Sequence, residues 1–356
     1  MSAPAVPTVD WDLAVAAAVR LAPRPPSLDR AEAAAVVAEL RDAAGRAQAH
    51  VREHTGLVAP AGDGAVLVVD RPSWIRANAD AFAAVLDPLV LRLASRRKGP
   101  GASPAALAVG GALTGAEAGG LLALLSAKVL GQYEVFAPAA SGGRLLLVAP
   151  NVVAVERELD VDPSDFRLWV CLHEETHRVQ FAVAPWLRDH LREQLEVFID
   201  ATELDAAAAL RRLWAVLRAV VSAVRGTPGA SLVEAVQSDA QRAALARVTA
   251  VMSLLEGHAD VVMDDVGPQV VPSVAQIRER FQRRRESTSL QDSAVRRLLG
   301  LEAKMRQYRE GAVFVRGVLD AVGMEGFNRV WESPETLPRP EEIADPAAWV
   351  ARVHAA

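Results

Sequence analysis

Cysteine is all but missing from this sequence: Cys171 is the single one among 356 residues. One thiol cannot close an internal disulfide, which fits a reducing cytoplasm, and it cannot build a cysteine-ligated zinc finger. Positive charge is also short. The chain carries a net charge of -5, whereas phosphate binding is driven by clustered positive charge, so no nucleic-acid partner is expected. The opening residues MSAPAVPTVDWD lack a basic start and reach an acid by Asp10, which excludes a secretory signal there. Long uninterrupted apolar runs are lacking too. The nearest approach to a membrane span, Ala105 to Leu130, contains Glu117 and Lys128, charges that are costly in lipid. It holds glycines at 111, 115 and 119, which lie along one helix face and let another backbone approach closely. The charges favour a tightly packed core helix over a span, and no membrane association is expected.

Apolar residues, by contrast, make up 51% of the chain against 23% charged, ample for a large buried core and too apolar for a disordered chain. The length suits one large enzyme domain with satellite helices as well as two domains. Helical spacing of apolar residues predicts helices over Trp11–Leu21, Leu28–Val51, Trp74–Arg92 and the glycine-faced segment. Short β-branched or apolar runs predict strands at Ala65–Val69, Tyr133–Ala137 and Arg144–Val148. The last two are separated by Ser141-Gly142-Gly143, a hairpin signal. The basic, Gly/Pro-rich stretch Ser95–Pro104 reads as a loop. Asp162 is a candidate N-cap, with Pro163 at the first helical position, for a helix reaching about Phe181. Beyond it the pattern is helical over Pro185–Val224, Ser231–Val266, Ser273–Arg285, Leu290–Leu301 and Gly311–Val322. The expected fold is mainly α (α+β), with a small sheet ahead of the key helix and a helical C-terminal half. The expected division is N-terminal helices and sheet over 1–160, a helical catalytic region over 161–332, and a Pro-rich tail over 333–356, of which Ser333–Pro346 is expected to drape over the surface.

Chemistry concentrates in Arg167–Phe181, where His173-Glu174-Glu175-Thr176-His177 matches H-E-x-x-H. Residues four apart on a helix share a face, so both imidazoles can reach one zinc ion at about 2.0–2.1 Å. Glu174 lies about 100° round the helix, where it can serve as general base toward a zinc-activated water rather than as a ligand. Histidine is scarce, at seven residues, so the pattern arises by chance in roughly one such chain in a hundred. The surrounding Leu168, Trp169, Val170, Leu172, Val179 and Phe181 set it on an apolar helix, where few chance matches fall. The bland alternative is an exposed helix with two incidental histidines.

A zinc peptidase needs a third protein ligand and an open fourth position. The metzincin extension would place a glycine at 180 and a histidine at 183; Gln180 and Val183 exclude it. The gluzincin-like solution takes a glutamate from a later helix, often with an aspartate four residues on, as in Glu256-Gly257-His258-Ala259-Asp260. Glu256 is the expected third ligand, and Asp260 could accept the second N–H of His173 or His177. His258 competes, but stands about 200° from Glu256 on a regular helix. Gly257 would loosen the helix there. A helix end rich in acids is the alternative, since Asp264 and Asp265 follow.

Together, H-E-x-T-H-x-x-Q-F and L-E-G-H-A-D-x-V-M-D resemble the zincin-like metallopeptidase family found mainly in actinobacteria and chloroflexi. Many of its members are labelled "coenzyme F420 biosynthesis-associated" from genome context. Val68–Trp74 (VVDRPSW), Val129–Tyr133 (VLGQY) and Lys304–Gly311 (KMRQYREG) extend the resemblance over most of the chain. The resemblance implies a zincin-like fold, one zinc per chain and an undefined substrate. Among lesser features, Tyr308 could stabilise an oxyanion or simply pack. Arg278–Arg285 holds five arginines, a solvated face or a rim for acidic peptide ends. Cys171 belongs to the core. The expected function is a cytoplasmic zinc-dependent hydrolase acting on a peptide or protein. The alternative is a catalytically inactive helical binding or assembly protein with a structural zinc site.

Overall fold

The computed structural model describes residues 9–59, 64–95, 104–136, 143–200, 239–286 and 301–355. The helices expected over 201–224, 231–238 and 290–300, and most of the expected 95–104 loop, lie outside them. Three strands, β1 (Ala65–Val69), β2 (Gly131–Glu134) and β3 (Arg144–Val148), form one sheet in the order β1-β3-β2. Central β3 pairs parallel with β1 and antiparallel with β2. A parallel pair needs a crossover, which here includes α3 (Arg71–Ser95) and α4 (Pro104–Ser126). The anticipated pairing of the last two strands is present, but β2 begins at Gly131 and ends at Glu134. Its ladder is set by β3, with Gly131 opposite Leu147 and Glu134 opposite Arg144.

Alternation along β3 explains why an unbroken apolar run sits in the middle. Leu146 and Val148 join a core with α1 (Trp11–Leu21), α3 and α4. Leu145 and Leu147 face the opposite layer, made of α2 (Arg30–Thr55), α6 (Pro163–Val183) and the helices that follow. A strand covered on both faces has no polar side to present. Among the described residues, no helix is long and apolar enough to cross a membrane. The glycine-faced α4 is instead seated on α1: a Cβ at Gly119 would stand 2.6 Å from the Ala14 carbonyl oxygen.

An unanticipated helix, α5 (Ala149–Leu159), follows β3 without a break. Its Asn-Val-Val-Ala-Val run looks like strand, but Pro150 at the helix start turns the chain and Asp160, at φ 51°, ends it. The motif helix α6 is capped as expected, the Asp162 carboxylate accepting from the Asp165 N–H at 2.9 Å. It lies against α2 and is buried along most of its length. Next come α7 (Trp186–Asp200), α8 (Asp239–Val266), α9 (Val274–Glu286) and α10 (Leu301–Asn328). Gly323, at φ 68°, kinks α10. The last helix is α11 (Pro346–His354).

The tail does not drape. Trp349 is fully buried against Phe314, and its indole N–H donates to the Thr336 carbonyl at 2.8 Å. Prolines stop helices in this stretch, but Leu337, Ile343 and Trp349 decide where it goes.

Candidate metal centre

The site sits where α6 meets α8. His173 and His177, four apart, present their Nε2 atoms 3.1 Å from each other. Glu256 of α8 faces both, with carboxylate oxygens 3.7 Å from His173 Nε2 and 3.9 Å from His177 Nε2. One donor atom from each residue lies within 4.8 Å of the others. Donors held tetrahedrally at about 2.0–2.1 Å from one zinc are about 3.3 Å apart, a value within the observed range. Two imidazoles and a carboxylate are also a donor set zinc favours. The residues fit the ion. Side-chain exposure of 25% for His173, 14% for His177 and 25% for Glu256 leaves the cluster open on one side.

Glu174 takes no part in this triangle. It is 7% exposed and lies against Gly131 at the start of β2, where an added Cβ would come within 2.5 Å of its Cγ. Burial, and then the charge on Glu256, push the Glu174 carboxyl up to about 8. A cation held by His173, His177 and Glu256 would offset the Glu256 charge and draw it back down.

On the far side of the imidazoles, His173 Nδ1 lies 3.2 Å from Met263 Sδ, and His177 Nδ1 lies 3.0 Å from Gln180 Oε1. His258 is fully buried, between α8 and the rings of Phe327 and Trp331, and burial lowers it to about 3. It is not part of the triangle, and its Nδ1 meets Gln180 Nε2 at 3.1 Å. Asp260 is partly buried one turn past Glu256, and its carbonyl accepts from Arg278 at 3.3 Å. Cys171 is buried in the core, where burial raises its thiol pKa. The side chain of Tyr308 lies outside the described residues. Gly257 does not loosen α8. A Cβ there would overlap the backbone of Gly311 and Ala312, so the glycine lets α10 close against α8. Much of the arginine run is tied down: Arg278 pairs with Asp264, Arg280 with Asp160 and Arg284 with Glu158.

Gly131, Gln180 and Met263 were not picked out as functional positions. Gly131 and Gln180 nevertheless fall inside the segments that carried the family resemblance. Met263 also falls inside such a segment, as the methionine of L-E-G-H-A-D-x-V-M-D, but an apolar residue at helical spacing reads only as core.

Comparison with known proteins bears on family and fold. A model of the family described as zincin-like metallopeptidase matches residues 9–350, and the chain belongs to that family. The solved structure of a "putative hydrolase with a novel fold" from Chloroflexus aurantiacus is similar to it, with 31% sequence identity and a TM-score of 0.70. The match covers 98% of this chain and 99% of that one. No curated protein shows significant similarity.

Proposed function

We propose that this member of the zincin-like metallopeptidase family is a zinc-dependent peptidase. In this reading His173, His177 and Glu256 hold one zinc per chain, and Glu174 is the general base. One observation carries the proposal. Three donors that are 256 − 177 = 79 residues apart at the widest gap converge in one open cluster, while a second carboxylate, Glu174, stays off it. Zinc bound there supplies Lewis acidity toward a water and a substrate carbonyl. Glu174 then has the proton-accepting role. It lies against Gly131 of β2, within reach of the Glu256 charge but outside the donor triangle, and a bound cation would favour its proton-accepting form. The reading takes a peptide or protein as substrate. It places the enzyme in the cytoplasm, where its one cysteine, Cys171, stays reduced.

The test is hydrolysis of a diverse peptide library by zinc-loaded protein, with Glu174→Gln as control. The variant should retain one zinc per chain and lose about 10²–10⁴-fold in rate, because an amide keeps the shape but cannot take the proton. A protein that binds zinc one-to-one yet cleaves nothing would favour the inactive assembly protein. A Glu174→Gln variant as fast as wild type would remove Glu174 from the chemistry.

A further inference from the structure

We infer that Gln180 is a positioning residue of the metal site, fixing the tautomer of His177 so that its Nε2 lone pair faces the cluster, and that His258 holds Gln180 in place. The inference rests on the zinc-site reading above and adds to it residues that neither bind metal nor touch substrate.

The argument starts at a group with one hydrogen-bonding option. The backbone carbonyl of Leu255 can only accept, so the Gln180 atom 3.0 Å from it is the amide nitrogen, Nε2. The other terminus, 3.0 Å from His177 Nδ1, is therefore the amide oxygen. An amide oxygen can only accept, so His177 carries its hydrogen on Nδ1. Its Nε2 is left bare, pointing at His173 and Glu256. The second amide hydrogen of Gln180 faces His258 Nδ1 at 3.1 Å. That nitrogen must accept, which puts the His258 hydrogen on Nε2.

His258 Nε2 is buried without a hydrogen-bond partner among the described residues. An unpaired buried polar group is costly, and a ring packed against Phe327 and Trp331 at 5.0 and 5.5 Å could as well be apolar. What an apolar ring lacks is the acceptor at Nδ1, and Gln180 uses it. Gln180 itself is fully buried, so no solvent competes for its amide. One side chain thus links the α6 ligand His177 to the α8 backbone immediately before Glu256, setting orientation and inter-helix spacing together.

The experiment is long-range ¹H–¹⁵N NMR of the histidine rings in the full-length, metal-free protein, followed by zinc titration against a competing chelator. In wild type, His177 should show Nδ1–H and His258 Nε2–H. Gln180→Leu should move His177 to the Nε2–H form, which blocks the ligand nitrogen, and weaken zinc binding about 10–100-fold. Gln180→Glu keeps an acceptor for His177 but loses the donor to Leu255. It should cost stability while holding the Nδ1–H form and zinc affinity within about threefold of wild type. A merely structural Gln180 would make both variants lose zinc in step with stability, and equal losses overturn the inference. So does a wild-type His177 found as Nε2–H. The tautomer is read without zinc or hydrolysis, so failure of the peptidase reading and failure of this inference give different results.

Discussion

Two pairs of helices in this protein close on each other through glycine, and they do so differently. Along α4, Gly115 and Gly119 lie four apart, against the backbone of Asp10 and Ala14. The partner helix α1 offers small residues in turn, with Ala14 and Ala18 fully buried. The contact is a groove spread over successive turns. Between α8 and α10 glycines lie on both helices: Gly257 meets Gly311, and Gly311 meets Ser253 one turn back, with Leu254 and Phe314 buried nearby. Helix α1 packs chiefly on α3 and α4, so it can shift outward when the groove is filled. Helix α8 is held by α6, α7 and α10 together, and α10 by α11, so neither can yield. The distributed contact is remote in function, carrying no residue of the metal cluster. The α8–α10 contact comes within one residue of Glu256.

The largest expected effect comes from filling the α8–α10 contact at Gly257. Gly257→Ala should destabilise by about 3 kcal/mol, the upper part of the range for overpacking a closed core. In the fraction that folds, Glu256 should be displaced and zinc affinity should fall at least about 100-fold. Urea unfolding and zinc competition measure the two. Filling the groove breaks the parallel: Gly119→Ala should cost about 1–2 kcal/mol and leave zinc affinity within about twofold. A Gly119→Ala protein that loses zinc, or a Gly257→Ala protein that keeps it, would show that the two crossings do not differ in this way.

These contacts also show what a sequence exposes. The α4 series was legible because repetition every four residues is itself a pattern, so its close approach could be expected without a partner in view. Gly257 and Gly311 stand alone, 54 positions apart (311 − 257), and a single glycine within a helix reads as a weakness until its neighbour is known. The candidate ligands divide in the same manner. His173 and His177 follow from helical spacing, and Glu256 was separable from His258 by the face each occupies. Gln180 could not be found that way, because its role depends on the Leu255 carbonyl and His258, which only tertiary packing brings near. Helix α5 was hidden for a local reason: its valines carry the signature of a strand, and only the turn at Pro150 makes it a helix.

A smaller effect is expected where glycine makes room for a side chain rather than a helix. Gly131→Ala would set a methyl group 2.5 Å from Glu174 Cγ and 2.8 Å from its Oε1. Glu174 is buried there and must shift, whereas no donor residue is among the atoms nearest that methyl group. Peptide hydrolysis should fall about 10–100-fold, since small misplacements of a reacting group are expensive. Zinc affinity should stay unchanged, and stability should drop by about 1 kcal/mol. Unchanged hydrolysis would show that Gly131 serves only the sheet.

The smallest effect tests what holds β2, and Gly131 with it, in position. The Trp74 indole N–H donates to Gln132 Oε1 at 2.9 Å, and Gln132 Nε2 donates to Asn78 Oδ1 at 3.0 Å. Asn78 in turn donates to the Trp74 carbonyl at 2.9 Å, closing a loop between α3 and the strand. Two segments of the family resemblance, VVDRPSW and VLGQY, therefore meet at this loop, one residue from the glycine that receives Glu174. Trp74→Phe keeps the buried ring but removes the donor, leaving Gln132 Oε1 without that bond. A net cost of about 1 kcal/mol is expected for one lost hydrogen bond. If the loop sets the position of β2, hydrolysis should also slip by about two- to fivefold with zinc affinity unchanged. Gln132→Leu, which removes both side-chain links, should slip further in the same direction. Should both variants lose stability while hydrolysis stays at the wild-type rate, β2 is placed by its ladder with β3 alone, and the loop only joins the helix layer to the sheet.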